Sequence, residues 1–402
     1  MNAFHPNEAR LPGADFKRTC AAIVRRSAAR DQERELPFDA VEELKALRFG
    51  AIRLRHEDGG GGGSIRAVLK ALHALSAADS NVAHIWRNHF MLTERLCLHA
   101  TANPALARLR REVAAGALIG LAGAEAVRTQ VGGASAGSSP VVPDGAGFRF
   151  SARKVYSTGS IFADWIVTYG ELPDGTRVNL VIPRDRPGLT LLDDWDGMGQ
   201  RLTGTGTTLF DDVLVHADEV IRPDEFRPHL PFFSSTIAQI VLTTVVAGIM
   251  EAIVRDGRET LEARDANFYF APSPQPKDDP LLLAALGELS ASAFSAHATV
   301  MAAADRLDIA ALAIAGDDAL PAVEAAAIAA AKAKVVVDAL AQTAGSRLFD
   351  VAGASATRRS LNLDRHWRNL RTVISHNPAS YKAFAIGAHE LNGTPVPASG
   401  FF

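Results

Sequence analysis

Cysteine is scarce: Cys20 and Cys97 are the two thiols in 402 residues. Two thiols build no disulfide framework, and so low a count fits a reducing cytoplasm. Neither sign of charge is in excess. The formal net charge is -3, which argues against nucleic acid or an acidic membrane surface as a partner. The opening stretch MNAFHPNEARLPGADFKR has no apolar signal core. Long unbroken apolar runs are missing too. The most apolar, Ile237 to Ile253, is interrupted by Gln239, Thr243, Thr244, Gly248 and Glu251, which predicts a buried bundle helix and no membrane span.

Several site signatures are also absent. Gly59 to Gly63 and Ser64 lack the Lys-Ser/Thr of a phosphate loop, and predict a flexible turn before a helix capped by Ser64. His84 and His89 sit five residues apart, off a common helix face, and no His-Glu-x-x-His pattern occurs, so no metal is expected. Gly133-Ala134-Ser135-Ala136-Gly137 has the letters of a nucleophile elbow. It lies in a Gly/Ser loop followed by Pro140 and Pro143, without the strand and helix that an elbow needs, and is read as chance. No Gly-x-Gly-x-x-Gly dinucleotide pattern is present, so the chain is not expected to use NAD(P)H itself.

What is present is an ordinary globular composition, 48% hydrophobic and 22% charged, with three stretches of different texture. Residues 1–117 read as helices. Asp39 to Glu42 resembles a capping box, Val41, Leu44 and Leu47 recur at helical spacing, and Gly50 suits a stop. Helices follow over Ile65 to Ala78 and from Val82 to about Ala102. Residues 118–222 read as strands and turns, with Phe148 and Phe150 alternating with polar residues, then Trp165 to Val167, Val178 to Ile182 and Leu209 to Val215. This predicts a small β-barrel or sandwich. Residues 223–402 are helical again, with spans near Ser234 to Arg264, Pro280 to Ala315 and Ala319 to Gln342, and Ala-rich faces suited to a bundle. The fold class is therefore α+β, mostly α. The Pro-rich, aromatic loop over 267–279 is either a lid on a substrate entrance or a surface crossover.

Near the C-terminus, Asp364 to Lys382 reads DRHWRNLRTVISHNPASYK. A basic helix ends at His376-Asn377-Pro378, where Asn before Pro leaves the helical region, and a second helix follows. His376 thus sits at a helix junction, free to project away from a packed face. This stretch resembles the acyl-CoA dehydrogenase superfamily, and within it the flavin monooxygenases of the dibenzothiophene monooxygenase type, whose segment reads F-W-R-N-x-R-T-x-x-x-H-D-P-x-x-Y-K. Lys154 to Gly159 with Ala163-Asp164, and Trp195 to Thr205 with Phe210-Asp211-Asp212-Val213, resemble two further segments of that superfamily in the same order.

The resemblance implies N-terminal helices, a central β-domain, a C-terminal four-helix bundle and a homotetramer. It implies a cytoplasmic oxidoreductase that takes reduced, diffusible FMN from a separate NAD(P)H-flavin reductase and uses O2, through a C4a-hydroperoxyflavin, to oxygenate a small hydrophobic or heteroatom substrate at S, N or C. FAD is the other nucleotide the family uses. The resemblance assigns His376, Thr158 and His89 as catalytic candidates. It places Ala122, Gly123, Ala124, Ser157, Thr158, Trp195, Arg201, Thr203, Thr205, Arg264, Gly353 and Ser355 at the cofactor. Hydroxyls for the flavin's pyrimidine edge and an aromatic wall for its face fit that chemistry, as Arg fits phosphate. Trp86, Phe90, Phe268, Tyr269 and Asn377 are the substrate-contact candidates. The superfamily's dehydrogenases need a carboxylate base. Its main position is Asn377 here, and the alternative position on the first bundle helix is Ala238 followed by Gln239. Acyl-CoA dehydrogenation with FAD is therefore the second reading, and a non-catalytic flavin-binding homologue the third.

Overall fold

The computed structural model describes residues 13–98, 103–125, 139–316, 319–398 and 402. The Gly133 to Gly137 pattern lies outside them. The chain opens with α1 (Ala14–Glu33), α2 (Phe38–Ala46), α3 (Ile65–Ala78), α4 (Ser80–Ile85), α5 (Arg87–Leu98) and α6 (Pro104–Ala115). Ser64 caps α3 as expected, its hydroxyl accepting the Ala67 amide at 3.1 Å.

Three local expectations are corrected. The Asp39 carboxylate does not cap α2. It faces Arg26 and Arg30 of α1, and two guanidiniums outcompete a capping amide. The glycine turn is not loose, because the amides of Gly60, Gly61, Gly62 and Gly63 donate to the carbonyls of Arg55, Ala51, Leu54 and Ile52. The helix expected from Val82 onward is two helices. The chain tightens at Trp86, whose amide reaches the Ala83 carbonyl at 3.2 Å.

Two sheets follow. β1 (Ile119–Ala122), β5 (Trp165–Glu171), β6 (Arg177–Pro183) and β9 (Val220–Ile221) form one, in the order β1-β5-β6-β9, with β1 parallel to β5. β2 (Ala124–Glu125), β4 (Gly147–Val155), β8 (Thr208–His216) and β7 (Leu189–Leu191) form the other in that order, and β3 (Val141–Asp144) pairs with β4. Alternation puts Phe150, Val213 and Val215 inside. Gly123 passes the chain from one sheet to the other. The pairing of Ala124 with Val155 sets this crossing beside the turn that carries Ser157 and Thr158.

The C-terminal part holds α7 (Leu230–Glu262), α8 (Pro280–Ala313) and α9 (Ala319–Ala352), then α10 (Asp364–Ile374) and α11 (Ala379–Asn392). α7 packs on α3, α5, α8 and α9, which explains its apolar sequence: 89% of its most apolar window is buried inside the protein. α10 packs on α7 and α9, and α11 continues along α9, so the two short helices supply the fourth side of the bundle. α9 runs further than its sequence pattern suggested and includes Gly345, which is the close-approach point for Trp367 and Leu370. The turn begins at Gly353, whose φ of 75° favours glycine.

Candidate active site

Two segments far apart in sequence are locked together by the motif on α10. Arg368 donates to the Met198 carbonyl at 3.2 Å and to Asp31 of α1 at 2.6 Å. Asn369 Oδ1 accepts the Gln200 amide at 2.6 Å. Gly199 lies so close under the Arg368 carbonyl that a Cβ would collide. The Arg-Asn pair thus clamps the loop that carries Thr203 and Thr205. Arg201 is corrected by the same contacts: its guanidinium donates to the Asp31 carbonyl at 3.0 Å and braces α1 instead of facing the hydroxyls.

The hydroxyls converge. Thr158 Oγ1 and Thr205 Oγ1 are 2.9 Å apart, and Thr205 Oγ1 and Thr203 Oγ1 are 2.6 Å apart. Thr203 donates on to the Gln200 carbonyl at 2.9 Å. Ser157 beside them is buried, with no partner for its hydroxyl among the described residues. Trp195 is half-buried, and Tyr156 meets it edge-on at 6.2 Å. Ala122 offers little, since its carbonyl already accepts Thr168 Oγ1 at 2.7 Å, but Gly123 and Ala124 run past this group. Neutral donors and acceptors, an unpartnered buried hydroxyl and an indole fit the edge and face of a flavin ring.

Next to them lies a buried polar wall. Asn88 donates to the Thr158 carbonyl at 3.2 Å, and Arg87 Nε donates to the Ala238 carbonyl of α7 at 3.3 Å. Asn377 Nδ2 donates to Gln239 Oε1 at 2.7 Å. Asn377, at the main position where the superfamily resemblance puts a dehydrogenase base, is therefore bonded to the neighbour of the alternative position, Ala238, and neither position is a carboxylate.

His376 is where the helix-junction argument put it, half-buried between the two helices. Burial, then the charge of Arg87, then His84, Lys334 and Lys382 hold its pKa well below the ordinary histidine value. His84 belongs to the same group. Its Nδ1 lies 2.9 Å from Gln200 Oε1, which fixes the proton on Nδ1 and leaves Nε2 as an acceptor without a partner among the described residues. Burial and then Arg87 push it down to about 4. Both imidazoles are neutral at pH 7.

The sequence reading chose His89 over His84, and the structure reverses this. The His89 Nε2–H donates to the Gly50 carbonyl at 3.1 Å and its Nδ1 accepts the Ile119 amide at 3.1 Å, so both nitrogens are used in bracing. Trp86 and Phe90 are corrected likewise. They are buried and pack edge-on against Phe49 at 5.0 and 5.5 Å, as core. His84 and Arg87 left one signal in the sequence, a run dense in polar groups (Ser80, Asn81, His84, Arg87, Asn88) inside a helix too apolar to be a surface.

Arg264, Gly353 and Ser355 come together elsewhere. They line a surface concavity of about 800 Å³ with Phe268, Phe270 and Asn267. Arg264 Nη1 donates to the Val351 carbonyl at 3.3 Å, which holds the guanidinium over the Gly353 turn. Phe268 and Tyr269 are exposed, Tyr269 by 87%, and meet Phe270 edge-on. They belong to this concavity and its rim, apart from His376 and Asn377, so their assignment as substrate contacts beside those residues is withdrawn.

Comparison with known proteins fits this geometry. The family model for the acyl-CoA dehydrogenase C-terminal domain matches residues 240–381. L-evernosamine nitrososynthase of Micromonospora sp. is 30% identical over 73% of this chain and 69% of that protein. Dibenzothiophene monooxygenase of Mycolicibacterium goodii is 27% identical over 89% and 88%. The probable FMNH2-dependent monooxygenase SfnC of Pseudomonas putida is 30% identical over 63% of this chain and 65% of its own length, just short of two thirds. The structure of methanesulfinate monooxygenase MsuC from Pseudomonas fluorescens superposes with a TM-score of 0.85 at 26% identity, covering 96% of this chain and 98% of that one. The chain belongs to the acyl-CoA dehydrogenase superfamily, on its flavin monooxygenase branch. Within that family this chain keeps a hydroxyl cluster, a junction histidine and an amide pair in place of the base.

Proposed function

We infer that the chain is a two-component flavin-dependent monooxygenase, which receives reduced FMN from a separate reductase and oxygenates a small substrate with O2. The observation that carries this reading is the Asn377–Gln239 amide pair. A dehydrogenase needs a base beside the substrate carbon, and two neutral amides cannot abstract a proton. The named relatives oxidise sulfur and nitrogen compounds, which supports a heteroatom substrate.

Thr158, Thr203, Thr205 and Ser157 would hold the ring edge of the FMN, Trp195 would cover its face, and Arg264 with the Gly353 turn would meet the phosphate of a neighbouring copy's flavin. Bound reduced flavin supplies the two electrons that activate O2. The chain's own task is to keep that place dry and to supply a neutral hydrogen-bonding group. His376 and His84 do this, since burial and Arg87 keep both unprotonated at pH 7. Exposed apolar side chains on α8, Leu281, Leu283, Phe294, Ile309 and Leu312, support a homotetramer that buries them. A cytoplasmic location agrees with the two free cysteines.

The test mixes the protein with anaerobically reduced FMN and then oxygenated buffer, and measures hydrogen peroxide released per O2 consumed. The protein should lower that ratio below the value for free FMN when substrate is present, and His376→Ala should restore it. Turnover of an acyl-CoA with an artificial electron acceptor would instead establish the dehydrogenase, and no effect on either reaction would leave a non-catalytic flavin-binding protein.

A further inference from the structure

We propose that Gln200 is a positioning residue that sets the hydrogen-bond direction of this site, so that Thr158 and His84 both meet a ligand as acceptors. This rests on the reading that the hydroxyl cluster faces FMN. Gln200 is buried and its backbone lies in the left-handed region, with a φ of 52°. Glycine takes that conformation without strain and glutamine does not, so a glutamine here is held for its side chain. Every polar group of the residue is in use. Its amide is held by Asn369 Oδ1 at 2.6 Å, and its carbonyl accepts Thr203 Oγ1 at 2.9 Å. Its Oε1 lies 2.9 Å from His84 Nδ1, and its Nε2 donates to Ser80 Oγ at 3.0 Å.

The carbonyl decides the direction of the hydroxyl chain. A carbonyl only accepts, and a threonine hydroxyl has one proton. Thr203 spends its proton on Gln200, so Thr205 is the donor across the 2.6 Å contact with Thr203. Thr205 then has no proton left, and Thr158 is the donor across the 2.9 Å contact with Thr205. Thr158 Oγ1 ends the chain with lone pairs alone. On the other side of Gln200, the bonded Nδ1–H leaves His84 Nε2 as a buried acceptor without a partner among the described residues. Burial and the charge of Arg87 hold this ring at about 4, and its charge in turn acts on His376. One residue thus turns two separate groups the same way. A ligand atom that meets either must carry a proton. Reduced FMN carries a ring N–H that oxidised FMN lacks, so the direction of the chain tells the two forms apart.

Nitrogen-15 spectra of the intact, flavin-free protein read the tautomer, with His84→Gln assigning the signal. The proton should sit on Nδ1. A proton on Nε2 would mean that Gln200 turns its amide nitrogen to the ring, and overturns the proposal with no altered Gln200 needed. Gln200→Glu keeps the shape and places a carboxylate on Nδ1–H, so the midpoint of His84 should rise from about 4 to above 6.5. A Gln200 that only packs would leave that midpoint where it is. Thr203→Val removes the acceptor of the Thr205 proton, which lets Thr205 donate to Thr158 and frees the Thr158 proton. The ratio of the dissociation constants for oxidised and reduced FMN, from two titrations, should fall at least fivefold in that variant. An unchanged ratio overturns the proposal. The expected tautomer and ratio without oxygenated product from reduced FMN and O2 would sink the monooxygenase reading while the role of Gln200 stands. Oxygenated product with the proton on Nε2 would do the reverse.

Discussion

His89 allows a sharp test, because its protonation state is dictated by two backbone groups. The Gly50 carbonyl takes the Nε2 proton, and the Ile119 amide points its own hydrogen at Nδ1. A second proton on the ring would set N–H against N–H in a dry interior. Burial thus lowers the pKa from 6.5 to about 4, although the Gly50 contact pulls the other way. The unfolded chain keeps the ordinary value, so between these two pH values it binds the proton that the folded chain refuses. Stability from this group is therefore complete above about pH 6.5, falls as pH drops and levels off below about 4. At pH 5 the loss is about 2 kcal/mol relative to pH 7, from the two proton-binding terms. His89→Gln keeps a donor and an acceptor and removes the titration. Urea unfolding of both proteins at pH 7 and pH 5 should show the native chain losing about 2 kcal/mol more than the variant. Parallel losses would refute the argument, and would mean that the ring accepts its second proton in the folded state.

Other perturbations address other parts of the molecule. Glu94 and Arg53 form a buried two-bond ion pair at 2.7 and 2.8 Å, so Glu94→Gln should cost roughly 3–5 kcal/mol, read as a lower denaturant midpoint. An unchanged midpoint would show that the pair contributes nothing. Thr158→Val removes one member of the hydroxyl cluster and should weaken FMN binding by about fivefold, equivalent to about 1 kcal/mol, in a fluorescence-quenching titration. Gly353 has a φ of 75° and lies under Arg264, so Gly353→Val should strain the turn by roughly 1–2 kcal/mol and weaken FMN binding chiefly at low salt. Equal weakening at high salt would argue against a phosphate contact there.

Much of this could be read locally. The division into helices, strands and helices follows from periodicity, and Ser64 and Pro378 mark element ends by their own chemistry. The stretch from Asp364 to Lys382 identified the family, and Thr158, Thr203 and Thr205 were recognisable as a hydroxyl set before their distances were known. Asn377 already spoke against a dehydrogenase, because an amide in place of a carboxylate is a property of the residue alone.

The choice among the polar residues of α4 and α5 was not local. His84 and His89 have similar apolar neighbours in sequence, and nothing in their spacing says which one faces the site. That depends on the break at Trp86, on Gly50 leaving room for the His89 ring, and on Gln200 being brought to His84 by a clamp on α10. Arg87 gained its meaning from Ala238 and His376, both remote in the chain. Phe268 and Tyr269 have the right chemistry for a substrate wall but fold onto another surface. Composition and spacing record what a side chain can bond to and which elements form. Which groups meet is set by how helices rotate and pack against one another, and that energy is spread over contacts between distant segments.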